Sequence, residues 1–169
     1  FSIFSTLFSN SSLLSSKNIS FKVIKHNSNL GVAQARNTLL KNANGEFLAF
    51  FDSDDYSLKN RLSEQLNHII LYEKNNFNKS KKYNFSPLCY CDREIIFSNN
   101  KKIYCKAMNI SKHDYKYKEQ IIGSLLFCNP FPNFSETGST ATCMLFARTE
   151  VLNNLKGFNP ILRRYEDLD

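Results

Sequence analysis

The sequence predicts an α/β domain built on a mainly parallel sheet with helices on both faces. Three features point there: strand-like and helix-like segments alternate from residue 21 to about 73, one strand segment is an unbroken apolar run, and the chain turns abruptly acidic where that run ends. With 169 residues, 42% of them hydrophobic, and 15 Phe and 8 Tyr against 5 Gly and 4 Pro, the chain has the size and composition to bury one core.

Phe21-Lys22-Val23-Ile24-Lys25 reads as a short strand closed by the polar turn His26-Asn27-Ser28-Asn29. Gly31 opens a helix over 32–43 in which Val32, Ala35, Leu39 and Ala43 share a face, and Asn44-Gly45 supplies the left-handed stop. Phe47-Leu48-Ala49-Phe50-Phe51 then reads as a central parallel strand, since a continuous apolar run suits a strand covered on both faces. A second helix, over 58–73, shows Leu58, Leu62, Leu66, Ile69 and Ile70 at spacings of three and four.

After a polar connector at 75–84, segments 88–97 and 102–108 read as a hairpin turning at Ser98-Asn99-Asn100. A helix over 118–127 and a loop with Pro130 and Pro132 lead to a buried strand at 140–146, then a short helix over 149–155 that runs into Gly157-Phe158.

Asp52, Asp54 and Asp55 fall where the apolar strand ends, and ligands of open parallel sheets bind at the carboxyl ends of strands. Crowded carboxylates repel, and a small hard cation such as Mg²⁺ or Mn²⁺ relieves the repulsion while leaving ligand positions for substrate phosphates. Acidic residues also serve simply as helix caps, so the three aspartates alone leave both readings open. A glycine-opened helix start at Gly31, with Arg36 and Asn37 one turn inside, is a second anion-compatible feature and reads equally as an ordinary helix.

The net charge of +7 suits nucleic acid, an anionic membrane or a phosphorylated ligand alike. Much of it lies in Lys79, Lys81, Lys82, Lys101, Lys102, Lys106, Lys112, Lys116 and Lys118, without a periodic basic helix, and Tyr115 and Tyr117 are thin grounds for base stacking. No nucleic-acid partner is expected. Five cysteines without a C-x-x-C pair argue against structural zinc, and Cys128 and Cys143 read as small core residues of a protein kept in a reducing, cytoplasmic compartment. His26, His68 and His113 lack metal-ligand spacing. Phe1 to Ser16 lacks the basic start and cleavage pattern of a signal peptide, and no apolar run reaches the ~20 residues of a membrane span. A chain that starts without Met and stops within an acidic motif reads as a piece of a longer one.

Three blocks together carry a family likeness. Asn29-x-Gly31-x-Ala33-x-Ala35-Arg36-Asn37 is followed by the run Ala43 to Asp55, then Arg61-Leu62, with order and spacing kept throughout. Gly138-Ser139-Thr140 leading to Met144 to Leu152, then Gly157-Phe158-Asn159 and Glu166-Asp167-x-Asp169, continue it. This pattern resembles the inverting family two of glycosyltransferases, which has the GT-A (Rossmann-like) fold. The resemblance divides the chain into a poorly matched segment, 1–20, and a partial GT-A domain, 21–169, incomplete at both ends. Phe1 to Leu14, with neither acid nor glycine, departs from the acid-rich nucleotide loop that family members carry near the front.

The resemblance implies transfer of a sugar from a nucleoside diphosphate donor, UDP-linked by expectation, to a glycan, lipid-linked or other hydroxyl acceptor. It makes Asp167 the catalytic base, with Glu166 beside it. It places Asp54 and Asp55 on a divalent metal, Mn²⁺ or Mg²⁺, and Asp52, Asp54, Arg36, Asn37 and Gly31 on the donor. Peripheral association at the membrane surface is compatible with it. A catalytically inactive remnant and a basic nucleic-acid-binding module are the rival readings.

Overall fold

The computed structural model describes residues 2–7, 20–77, 86–107 and 140–161. In chain order these form strands β1 (Ser2–Leu7) and β2 (Ser20–Lys25), helix α1 (Val32–Asn42), strand β3 (Phe47–Ala49) and helix α2 (Arg61–Asn76). Strands β4 (Cys89–Tyr90), β5 (Arg93–Ile96) and β6 (Lys102–Cys105) follow, then a 3-10 turn at Thr142–Met144, strand β7 (Leu145–Arg148) and helix α3 (Thr149–Asn154). The expected helix over 118–127, the loop at Pro130 and Pro132, and the Glu166-Asp167 pair lie outside the described residues.

The three-stranded sheet β3-β7-β4 organises the core, while β1 with β2 and β5 with β6 form two-stranded ribbons. Every ladder among the described residues is antiparallel. The expectation of a central parallel strand at 47–51 is therefore corrected in three respects: the strand spans Phe47–Ala49, pairs antiparallel, and among the described residues sits at the edge of this sheet, against the central β7. The physical reason is that an apolar run reports burial on both faces and carries no information on the direction of its neighbour.

Burial on both faces is what the register delivers. Leu48 stands opposite Ala147 and Tyr90 opposite Leu145, and these residues pack with Leu40 of α1 and Leu152 of α3 in one apolar cluster that also holds Phe50. The alternate residues face the other way. There Phe47 stacks on Phe146 with ring centroids 5.5 Å apart, the Arg148 guanidinium lies 4.6 Å over the Phe47 ring, and α2 covers the face through Gln65, Ile69 and Glu73. Helices thus sit on both faces, as expected, around an antiparallel sheet.

Two helices carry polar residues within their buried stripes. In α2 the buried stripe is Gln65, Ile69 and Glu73, and Leu58, expected to start the face, precedes the helix and is exposed. In α1 the stripe is Ala33, Arg36 and Leu40, one position round from the expected Val32, Ala35 and Leu39, while the expected Ala43 does pack against the core. Polar residues can occupy a buried stripe because each finds a partner there. Glu73 receives two hydrogen bonds from Arg148, from Nε and Nη2 at 2.6 Å each, and Gln65 Nε2 donates to the carbonyls of Cys89 at 3.0 Å and Met144 at 2.9 Å.

The hairpin about residues 98–100 is present, with Asn100 in the left-handed region at φ 60°. Its expected first strand divides: Cys89–Tyr90 joins the core sheet and Arg93–Ile96 pairs with β6. Among the described residues no helix is long and apolar enough to cross a membrane.

Candidate functional site

Beyond Ala49 the chain stays tied to β7 for one more residue, through a hydrogen bond from Phe50 N to Leu145 O at 3.2 Å. It then leaves the sheet as a tight turn in which Asp55 N donates to Asp52 O at 3.2 Å. With Ala49 opposite Phe146, the same register carried past the strand ends brings Asp52 level with Cys143. The outcome is a cluster in which a carboxylate oxygen of Asp52, one of Asp55 and the Cys143 sulfur all lie within 4.8 Å of one another. Asp54, exposed on the same turn, is not part of it.

The cluster is anchored from below. Arg36 is buried in α1 with Nη2 3.9 Å from Asp52 Oδ2, and its guanidinium lies 5.6 Å over the Phe158 ring. Arg61 Nη2 donates to the Phe50 carbonyl at 3.3 Å and its Nε to Gln65 Oε1 at 3.0 Å, while Gln65 holds the carbonyls of Cys89 and Met144. The ends of all three core strands are thereby fastened to α2.

Burial first, and then a hydrogen bond to Asp55 and the negative charges of Asp55 and Asp52, push the Cys143 thiol up to about 11. It is protonated at neutral pH and offers no thiolate. The carboxylates of Asp52 and Asp55 supply two hard oxygen donors, which fit a small hard cation completed by oxygens from a substrate.

The predicted site residues separate into groups. Asp52, Asp55 and Arg36 come together. Asn37 is committed elsewhere: its Nδ2 donates to Phe158 O at 2.6 Å and its Oδ1 accepts from Phe158 N at 2.8 Å. Gly31 opens α1 at φ +85°, with its N–H donated to Asn29 Oδ1 at 3.0 Å. Glu166 and Asp167 lie outside the described residues. His26 binds the Thr38 hydroxyl at 3.0 Å, and Cys89, Cys91, Cys105 and Cys143 are free thiols.

Cys143, read from sequence as a core residue, and Gln65, absent from that reading, both belong to the site. The signal that would have found Cys143 is the β3–β7 register, which counts it level with Asp52.

Residues 10–85 match the model of the family described as Glycosyl transferase family 2. The chain is 45% identical over 60 residues to the UDP-Glc:alpha-D-GlcNAc-diphosphoundecaprenol beta-1,3-glucosyltransferase WfaP of Escherichia coli, covering 36% of this chain and 24% of that protein. It is 39% identical over 85 residues to a second Escherichia coli enzyme of the same description, WfgD, covering 50% of this chain and 28% of that one. An uncharacterized glycosyltransferase of Rickettsia felis is 46% identical over 52 residues, 31% of this chain and 8% of that protein. The chain thus spans about a quarter of the length of the two Escherichia coli relatives. No solved structure matches it significantly.

Proposed function

We propose, from the match of residues 10–85 to the model of glycosyl transferase family 2, that the protein transfers a sugar from a UDP-sugar to a hydroxyl of a lipid-linked glycan, by single displacement with inversion. The observation that carries this is the convergence of Asp52 and Asp55 at the end of β3. The named donor and acceptor of the two Escherichia coli relatives, UDP-Glc and a diphosphoundecaprenol-linked GlcNAc, support the choice of substrate class.

Asp52 and Asp55 would hold the divalent cation, Mn²⁺ or Mg²⁺, whose chemistry when bound is to neutralise charge on the departing nucleoside diphosphate. Arg36 keeps Asp52 in place from the buried side, at 3.9 Å. Asp167 is assigned the acceptor proton: its carboxylate takes the hydroxyl hydrogen as the acceptor oxygen attacks the anomeric carbon, with Glu166 beside it. A single displacement needs no covalent sugar–protein intermediate.

The test is calorimetry of UDP binding to the full-length protein with and without Mn²⁺, joined to NMR of the anomeric configuration of the product. UDP should bind at least about tenfold more tightly with the metal, the coupling expected when two ligands complete one site. Equal affinity in both conditions, or a product of retained configuration, overturns the reading.

A further inference from the structure

Cys143 has a second neighbour on the side away from Asp52. In the β4–β7 ladder Cys89 stands opposite Phe146 and Tyr90 opposite Leu145, and Gln65 Nε2 bridges the Cys89 and Met144 carbonyls, so the chain leaves β4 for Arg93 on the side of the Thr142–Met144 turn. The 3-10 turn that leads into β7 is thus flanked by the aspartate turn beyond β3 and by Arg93 at the start of β5. The positive charge of Arg93 is felt at the Cys143 sulfur, which agrees with this placement.

Arg93 itself is incompletely satisfied. Its Nε is buried and has no hydrogen-bond partner, and it forms no ion pair among the described residues. Its sequence neighbour Asp92 does not neutralise it, because that carboxylate accepts from Ala107 N at 2.7 Å and from the Tyr104 hydroxyl. A guanidinium with a dehydrated and unused donor is costly to keep unless a ligand uses it. Arginine's planar fork suits phosphate oxygens, and the acidic pair across Cys143 requires that any such anion arrive with a cation or stand clear of the carboxylates.

We propose that Arg93 is a diphosphate-recognition residue, set across Cys143 from the Asp52–Asp55 pair. This rests on the glycosyltransferase reading, in which two diphosphates approach the site: that of the nucleotide donor and that of a lipid-linked acceptor. Both present the same chemistry to Arg93, and the test separates them.

In the full-length protein, wild type is first assayed for transfer, so that loss of the parent reading is seen before any variant is scored. Arg93→Met and Arg93→Lys are then compared for UDP affinity, for KM toward the UDP-sugar, and for KM toward a diphosphate-linked acceptor and a neutral glycoside acceptor. Arg93→Met should raise KM for one diphosphate partner about ten- to a hundredfold, as expected for a charge-assisted hydrogen bond, with Arg93→Lys intermediate. Weakened UDP binding assigns the donor. A rise confined to the diphosphate-linked acceptor, with the neutral one unaffected, assigns the acceptor. Thermal unfolding should be unchanged or raised in Arg93→Met, since no side-chain hydrogen bond or ion pair among the described residues is lost. An Arg93→Met variant that keeps every KM and UDP affinity, or one that melts several degrees lower or fails to fold, overturns the proposal.

Discussion

Asn37 and Phe158, 121 positions apart, exchange two hydrogen bonds: the Asn37 amide donates to the Phe158 carbonyl and accepts from the Phe158 N–H. The side chain acts as a strand-like partner for a segment that has no strand. It holds Phe158 where its ring meets Phe50 edge-on at 5.4 Å and underlies Arg36. The segment can come so close only because residue 157 is glycine, at φ +76°, where a Cβ would collide with Asn37 Oδ1.

Gly157→Ala should therefore destabilise by about 2 kcal/mol or more, from the positive φ and the clash together. Asn37→Asp, which keeps an acceptor but loses the donor and sets a charge against a carbonyl, should cost about 1–3 kcal/mol. Urea denaturation of each variant measures both; a Gly157→Ala protein as stable as wild type contradicts the close approach.

Phe50 is 3% exposed at the centre of the apolar cluster and next to the aspartate turn. Phe50→Asp places an unpaired carboxylate there at a cost of several kcal/mol, comparable to the stability of a whole domain. Circular dichroism should show no cooperative transition, and a soluble variant that melts cooperatively argues against this core.

Glu73 and Arg148 join α2 to β7, with Glu46 binding the same guanidinium from the far side. The hydrogen bonds from Arg148 hold the Glu73 carboxyl below its ordinary value of 4.5, against the opposing effect of burial. A depressed folded-state pKa contributes stability that is present above the unfolded value and is lost as pH falls through the folded one. Glu73→Gln should lower stability at pH 7 by roughly 2 kcal/mol, less than a fully buried pair because Arg148 keeps Glu46. The gap between variant and wild type should narrow below about pH 4, and denaturant midpoints across pH 3–7 give the answer; a constant gap contradicts the ionic assignment.

Asp55 and Asp167 are proposed to separate binding from chemistry. In the full-length protein Asp55→Asn should weaken Mn²⁺-dependent UDP binding, since it removes one of two converging carboxylates. Asp167→Asn should leave UDP affinity nearly intact and lower kcat by ~10²–10⁴, the usual effect of losing a general base. If Asp167→Asn keeps its turnover, or loses UDP as badly as Asp55→Asn, the base lies elsewhere and Glu166 is the next residue to substitute.

What was legible in the sequence is what short segments encode by themselves. Helices near 32–43, 58–73 and 149–155, the apolar strand at 47, its acidic end at Asp52 to Asp55 and the hairpin at 98–100 all follow from periodicity, capping and turn chemistry, and helices cover both faces of the sheet as that apolar run implied. The tertiary structure alone decided how these pieces pair. Antiparallel β3–β7 pairing, the burial of Arg36, Gln65 and Glu73 on helix faces, and the meeting of Cys143 with Asp52 and Asp55 depend on partners from 16 positions away, as in Arg36 and Asp52, to 101, as in Phe47 and Arg148. A side chain's polarity predicts its exposure only until a distant group satisfies it, and no local pattern contains that group.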